Sequence, residues 1–367
     1  MGFSRDMMAV RIVIFLLGGF LVIRTVLSAI KTFVVARSEP VFLTRTVFRS
    51  VRFFYNLRLN RARGYADRDR IMASYAAISL LALPPVWLII VWIGYAGMFW
   101  ALGAPTWTDA FRLSGSSLLT LGFQTANGLP ETALMFSEAA IGLVLVALLI
   151  SYLPTMYSAF QRREAQVTML DVRAGAPPSV IEMIARYHRI HGLDRLTEVW
   201  DRWEEWFADV EESHTSLASL VFFRSPDANR SWITAAGAVL DSAAFAASTL
   251  DIPRDPQADL CIRAGYLALR HIADSFHVQY NLNPKPTDPI SISRQEFDVV
   301  YDDLASRGVP LKRDRDQCWR DFAGWRVNYD TVLLALANLT MAPYAPWSSD
   351  RSLIGARKID RQNEPNR

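Results

Sequence analysis

The chain has 367 residues, 51% of them hydrophobic, and a formal net charge of only +3. Its length leaves room for more than one domain, and its near-neutral balance gives no support for a partner bound through bulk charge. The two cysteines, Cys261 and Cys318, have no CxxC spacing, so there is no basis for a disulfide framework or a zinc site; both are expected to be buried structural thiols.

The apolar residues crowd into the first 160 positions. "VRIVIFLLGGFLVIRTVLSAIKTFVV" (10–35) is the first segment that approaches the ~20 apolar residues of a membrane span. Arg24 and Lys31 interrupt it toward one end, where long side chains snorkel to the interface. No small-x-small cleavage site follows the apolar core, so the segment is read as a retained helix, either spanning the bilayer or lying on it.

Residues 36–71 then bring nine arginines (37, 45, 49, 52, 58, 61, 63, 68 and 70) against three acids. Arg45, Arg49 and Arg52 fall at helical intervals with Phe48, Phe53 and Phe54 among them. This pattern suits an amphipathic helix on anionic lipid headgroups, and not a nucleic-acid site. The segments "SYAAISLLALPPVWLIIVWIGYAGMFWALG" (74–103) and "ALMFSEAAIGLVLVALLISYLPTMYSAF" (133–160) are the two clearest spans. The loop between them, 104–132, holds one basic residue, Arg112, and two acids. By the positive-inside rule the arginine-rich loop is cytoplasmic and the 104–132 loop external. The basic "QRRE" after Phe160 makes the C-terminal half cytoplasmic as well. The expected location is the plasma membrane, of the bacterial inner-membrane kind, as a multi-pass protein.

Within that loop, "GAPTWTDAFRLSGSSLLTLGFQTANGLPET" (103–132) predicts a short helix capped by Thr108 or Asp109, beginning near Ala110 and ending at Leu119. About ten helical residues are too few to span a bilayer. Thr120, Leu121, Gly122 and Phe123 follow in extended form, then the polar exit "QTANG", and Pro130 and Thr132 open the next span.

The order span, half-helix, T-L-G-F, polar exit, span resembles the pore module of the tetrameric potassium channels over residues 74–162. The resemblance implies that Thr120, Leu121, Gly122, Phe123 and Gln124 form an ion-selectivity filter. In such a filter backbone carbonyls replace the ion's hydration shell. It further implies that Gly142 and Pro154 act as gating hinges, and that K+ (or Na+) is the permeant ion with no other cofactor or metal. One filter segment cannot close a pore and the chain has no internal repeat, so four copies must assemble. Gln124 stands where that family has its second glycine, and Thr125 where it has an aspartate. A glutamine forced into the glycine conformation costs about 1–3 kcal/mol. The missing carboxylate removes a brace behind the filter. Arg112 is unusual beside a cation path unless Asp109 or Glu138 neutralises it.

From Gln161 onward the periodicity is helical. Helices are expected over 178–192, 194–212, 229–249, 256–280, 294–307 and 315–341, with "SLASLVFF" (216–223) as a buried helix. His188 and His191, weighed as metal ligands together with His214, are read instead as surface or capping groups. No phosphate-binding or dinucleotide motif and no catalytic constellation is found, so no enzyme is expected. The expected class is thus an all-α membrane protein: three transmembrane helices, one re-entrant pore loop and an all-α cytoplasmic domain. The expected divisions are 1–35 (first span), 36–73 (basic amphipathic linker), 74–162 (pore), 163–347 (cytoplasmic helical domain) and 348–367 (a polar tail expected to be disordered). Function is read as a homotetrameric potassium-channel-like cation channel with a domain for assembly or gating. The alternatives are a nonselective cation channel and a membrane-tethered sensor or scaffold with a degenerate pore.

Overall fold

Three apolar runs organise the first part of the computed structural model, which describes residues 5–33, 42–62, 64–126 and 128–352. Arg37, Arg63, Asn127 and the tail from residue 353 therefore lie outside the described residues. The described chain is helical, with no strand among those residues and a single isolated bridge between Leu250 and Leu311. Three stretches are long and apolar enough to cross a membrane.

The chain divides into two units: one of residues 1–60 and 74–157, the other of 61–73 and 158–367. The first contains α1 (Arg5–Phe33), α2 (Phe42–Leu59), α4 (Tyr75–Leu81), α5 (Leu83–Leu102), α6 (Trp107–Leu118) and the first part of α7 (Leu129–Ala174). α4 and α5 are separated only at Ala82, because Pro84 and Pro85 lack the N–H groups that would continue the ladder. α1 packs along α5 through two glycines. A Cβ on Gly18 would strike the Gly94 carbonyl oxygen, and one on Gly94 would press on Val22 and Gly18. Small residues at such a crossing let two apolar helices approach closely. Phe33, at the end of α1, packs on Trp87 of α5 and Tyr152 of α7, with ring centroids 5.1 and 4.3 Å away.

The second unit contains α3 (Tyr65–Ala73), the end of α7, and α8 (Val180–Arg189), α9 (Leu196–Ser216), α10 (Trp232–Thr249), α11 (Pro256–Ser275), α12 (Arg294–Ser306), α13 (Arg315–Arg326), α14 (Asp330–Thr340) and α15 (Ser349–Ser352). Every residue of α10 except Ala247 is buried, so it is the central helix; its run of alanine and serine lets α8, α11, α13 and α14 close around it. Trp200, Trp203, Trp206 and Trp232 are core, as are both cysteines, while Trp319 and Trp325 pack against that core half-buried.

Several expectations are corrected here. The 315–341 helix is two helices, broken at Val327–Tyr329. "SLASLVFF" forms a short 3-10 helix over Ala218–Phe222 and not an α-helix, with Leu220 and Val221 buried. The 36–73 linker is split: α2 belongs to the first unit, while α3 belongs to the second, where Asp69 pairs with Arg224. The tail begins later than residue 348, because Ser348 and Ser349 are buried and Arg351 binds Glu296 at 2.5 Å.

Candidate functional site

The T-L-G-F stretch follows α6, whose first turn is set by Thr106 and not by Thr108 or Asp109. Thr106 is extended, and its hydroxyl accepts from the Asp109 N–H at 3.1 Å and donates to Asp109 Oδ2 at 2.8 Å. With twelve residues α6 is about 18 Å long, well short of a ~30 Å hydrocarbon core. It is held to α5 by Trp92, which stacks on Phe111 (centroids 4.2 Å apart) and donates its indole N–H to the Phe111 carbonyl at 2.9 Å.

Beyond Leu118 the backbone turns back on the helix end. The N–H groups of Thr120, Leu121 and Gly122 donate to the carbonyls of Ser117, Ser116 and Ser116, at 3.0, 2.8 and 3.4 Å. Among the described residues, no hydrogen bond is donated to the carbonyls of Thr120, Leu121, Gly122 or Phe123. The donors of Thr120, Leu121 and Gly122 face the helix and the acceptors are left over, in a turn and not in the extended form expected. Thr120 (φ 54°) and Gly122 (φ 69°) are both left-handed. Side chains of Leu121 and Phe123 are 60% and 64% exposed in the single chain, an unfavourable state for large apolar groups unless something covers them.

Gln124 does not adopt a left-handed conformation, so the strain expected there is absent; it falls on Thr120 instead. Ser116 ties the end of α6 to Gln124. Its hydroxyl accepts from the Gln124 N–H at 3.1 Å and donates to the Gln124 carbonyl at 3.4 Å. A second brace joins all three helices. The fully buried Glu138 of α7 has Oε1 2.5 Å from Ser114 Oγ of α6, which is itself 3.0 Å from the Trp92 carbonyl of α5. Glu138 is thus engaged with Ser114 and Asp109 with Thr106, and neither serves as the expected partner of Arg112. Gly142 has a packing reason to lack a side chain, since a Cβ there would run into the Leu118 carbonyl oxygen. α7 continues as one helix through Pro154.

The segment 161–177 is helical to Ala174 as part of α7. Within the second unit it is locked by Arg163, whose fully buried guanidinium donates to the Leu220 and Phe223 carbonyls at 2.9 and 2.7 Å. The same guanidinium reaches Glu164 at 2.8 Å and lies 3.0 Å from His214 Nε2. Because arginine only donates, Nε2 must accept, which leaves the proton on Nδ1 beside Ser213. His214 is therefore taken up by α7 and does not join His188 and His191. No group of three potential metal ligands occurs among the described residues.

Burial, and then the charge of Arg163, hold the His214 imidazole well below its ordinary 6.5. The folded site excludes a proton that the unfolded chain accepts below 6.5. Stability is therefore complete above that value and falls as pH drops, by up to ~1.4 kcal/mol per pH unit. The thermal midpoint of the full chain should decline from pH 6.5 downward, and His214→Gln should flatten the decline. Parallel curves for the two proteins would show that His214 does not carry it.

An open cavity of about 950 Å³ lies in the second unit between the starts of α9 and α11 and the end of α10. Its charges are largely spent on the protein. Lys312 donates to the Ala247 and Ser248 carbonyls, Arg254 pairs with Asp259, and Asp255 accepts from Thr197. No family model, no curated protein and no solved structure matches the chain.

Proposed function

We propose that four copies of the chain assemble a potassium-channel-like cation channel, with residues 120–123 of each lining a single axial path. The observation that carries this reading is the one-sided backbone: N–H groups are consumed by α6, while the carbonyls of Thr120, Leu121, Gly122 and Phe123 have no donor among the described residues. Irregular backbone of this kind is tolerated at membrane depth only against protein or a water-filled cavity. A fourfold ring of carbonyl oxygens can replace the hydration shell of a bare cation. The Thr120 hydroxyl adds the innermost ligand ring, and Leu121 and Phe123 become covered by neighbouring copies. On this reading α6 is the re-entrant half-helix, Ser116 and Glu138 hold its end, Pro154 and Gly142 are the places where α7 yields, and the second unit is cytoplasmic and works α7 through Arg163.

A nonselective variant of the same channel is favoured by Gln124, whose carbonyl is engaged by Ser116 so that the free row stops at Phe123. Fewer coordination rings discriminate less between K+ and Na+. Reversal potentials of the purified protein in planar bilayers decide. A K+/Na+ gradient should give a potential near the K+ equilibrium value; a value near zero with ample current supports the nonselective channel. The absence of current above background would reject both and leave a membrane-tethered scaffold.

A further inference from the structure

Helix α2 is fixed at both ends to the ends of apolar helices. Near its start, Thr44 Oγ1 lies 2.8 Å from Thr32 Oγ1 in the last turn of α1. Near its end, the Tyr55 hydroxyl lies 2.8 Å from Ser74 Oγ, immediately before α4. If α1 and α4–α5 are spans, the end of one and the start of the next lie on the same bilayer face, since residues 34–73 join them. Eleven residues separate the anchors, about 16 Å of helix. The axis of α2 must then run along that face and not across the bilayer.

Its inner side is settled by Val47 and Tyr55, both buried, and by Tyr75, which packs edge-on to Phe48 with the Arg52 guanidinium 5.3 Å from its ring. The outer side joins cations to apolar groups. Arg45, Arg49 and Arg58 are exposed. Phe42, Phe53, Phe54 and Leu57 are 76%, 60%, 64% and 52% exposed. Residues 42–59 contain no acid at all. A purely aqueous face has no use for four large exposed hydrophobes, and a buried protein interface rarely leaves several arginines without a carboxylate.

We propose that this outer face of α2 is a binding surface for acidic phospholipid: the guanidinium groups of Arg45 and Arg49 take the phosphodiester headgroups, while Phe42, Phe53 and Leu57 enter the acyl boundary. The inference depends on the spanning character of α1 and α5 but not on ion conduction, so it survives if no current is found. Each arginine close to an anionic surface strengthens association about fivefold.

The full chain is tested with a fluorophore on Leu57→Cys, the native Cys261 and Cys318 being buried. In mixed phosphatidylglycerol–phosphatidylcholine vesicles, brominated phosphatidylglycerol should quench this label more than brominated phosphatidylcholine at equal mole fraction. A label on Leu16→Cys, exposed mid-way along α1, should be quenched equally by both. Arg45→Gln with Arg49→Gln should weaken the relative association of the acidic lipid about twentyfold, and the two lysine replacements should preserve most of it. Equal quenching by the two lipids at position 57, or a preference that survives the glutamine pair, overturns the proposal. Quenching by neither lipid would also overturn it and would point to a protein partner on this face.

Discussion

Gly122→Val is expected to reduce ion flux to background while the chain still inserts and assembles. Gly122 sits at φ 69°, and a Cβ built on it meets nothing within 4 Å in the single chain. The cost of a side chain there is therefore conformational and not a clash. A β-branched residue in the left-handed region costs roughly 1–2 kcal/mol. In the proposed tetramer that cost applies four times around one path, about 4–8 kcal/mol, which would disfavour the conducting backbone by three orders of magnitude or more. Gly122→Ala carries the same φ with less crowding and should retain measurable current. Thr120 is the internal control: it is already left-handed at φ 54°, so Thr120→Gly relieves backbone strain while removing the side chain whose hydroxyl is the proposed ligand. Flux through liposomes reads all three. If Gly122→Val conducts like the parent protein, its backbone does not line the path.

How much of this was legible in the sequence differs between residues for physical reasons. The three long apolar helices and the short α6 follow from local signals, apolar run length and a capping residue; α6 starts three residues before the expected Ala110, while α7 runs on to Ala174, fourteen residues past the apolar run that marks it. The cap itself fell on Thr106 because three polar residues compete there, and only the extended backbone at Thr106 decides. Ser114, Ser116 and Glu138 were not recognised as braces. A serine in a small-residue run and one acid in an apolar run carry no periodic signal, and their partners lie 24 and 8 residues away. The break between α13 and α14 has no glycine or proline to announce it.

A buried ionic cluster sits across that break, and its disruption is the second large effect expected. Arg326→Met should destabilise the second unit by about 3–5 kcal/mol, the usual cost of leaving a buried charge without its partner. Arg326 is fully buried and contacts both oxygens of Asp241, at 2.6 and 2.7 Å. It also donates to Asp330 at 2.8 Å and to the Trp347 carbonyl at 2.7 Å, so one side chain ties α10, α13, α14 and the C-terminal segment together. Tyr329 adds its hydroxyl to Asp241 at 2.8 Å, and Ser291 gives both its N–H and its hydroxyl to Asp330. Arg326 and Asp330 flank the break at i, i+4 spacing, and Tyr329 between them reaches Asp241. Methionine fills the volume but leaves Asp241 desolvated with only a phenol for company. A compensating Asp241→Leu should recover a good part of the loss, because a removed pair costs less than a broken one. For a unit of this size the single variant should lower the thermal midpoint by roughly 6–20 °C. A fall of under a degree, with the double variant no better than the single, would mean that water reaches the cluster and that packing around α10 alone holds these helices together.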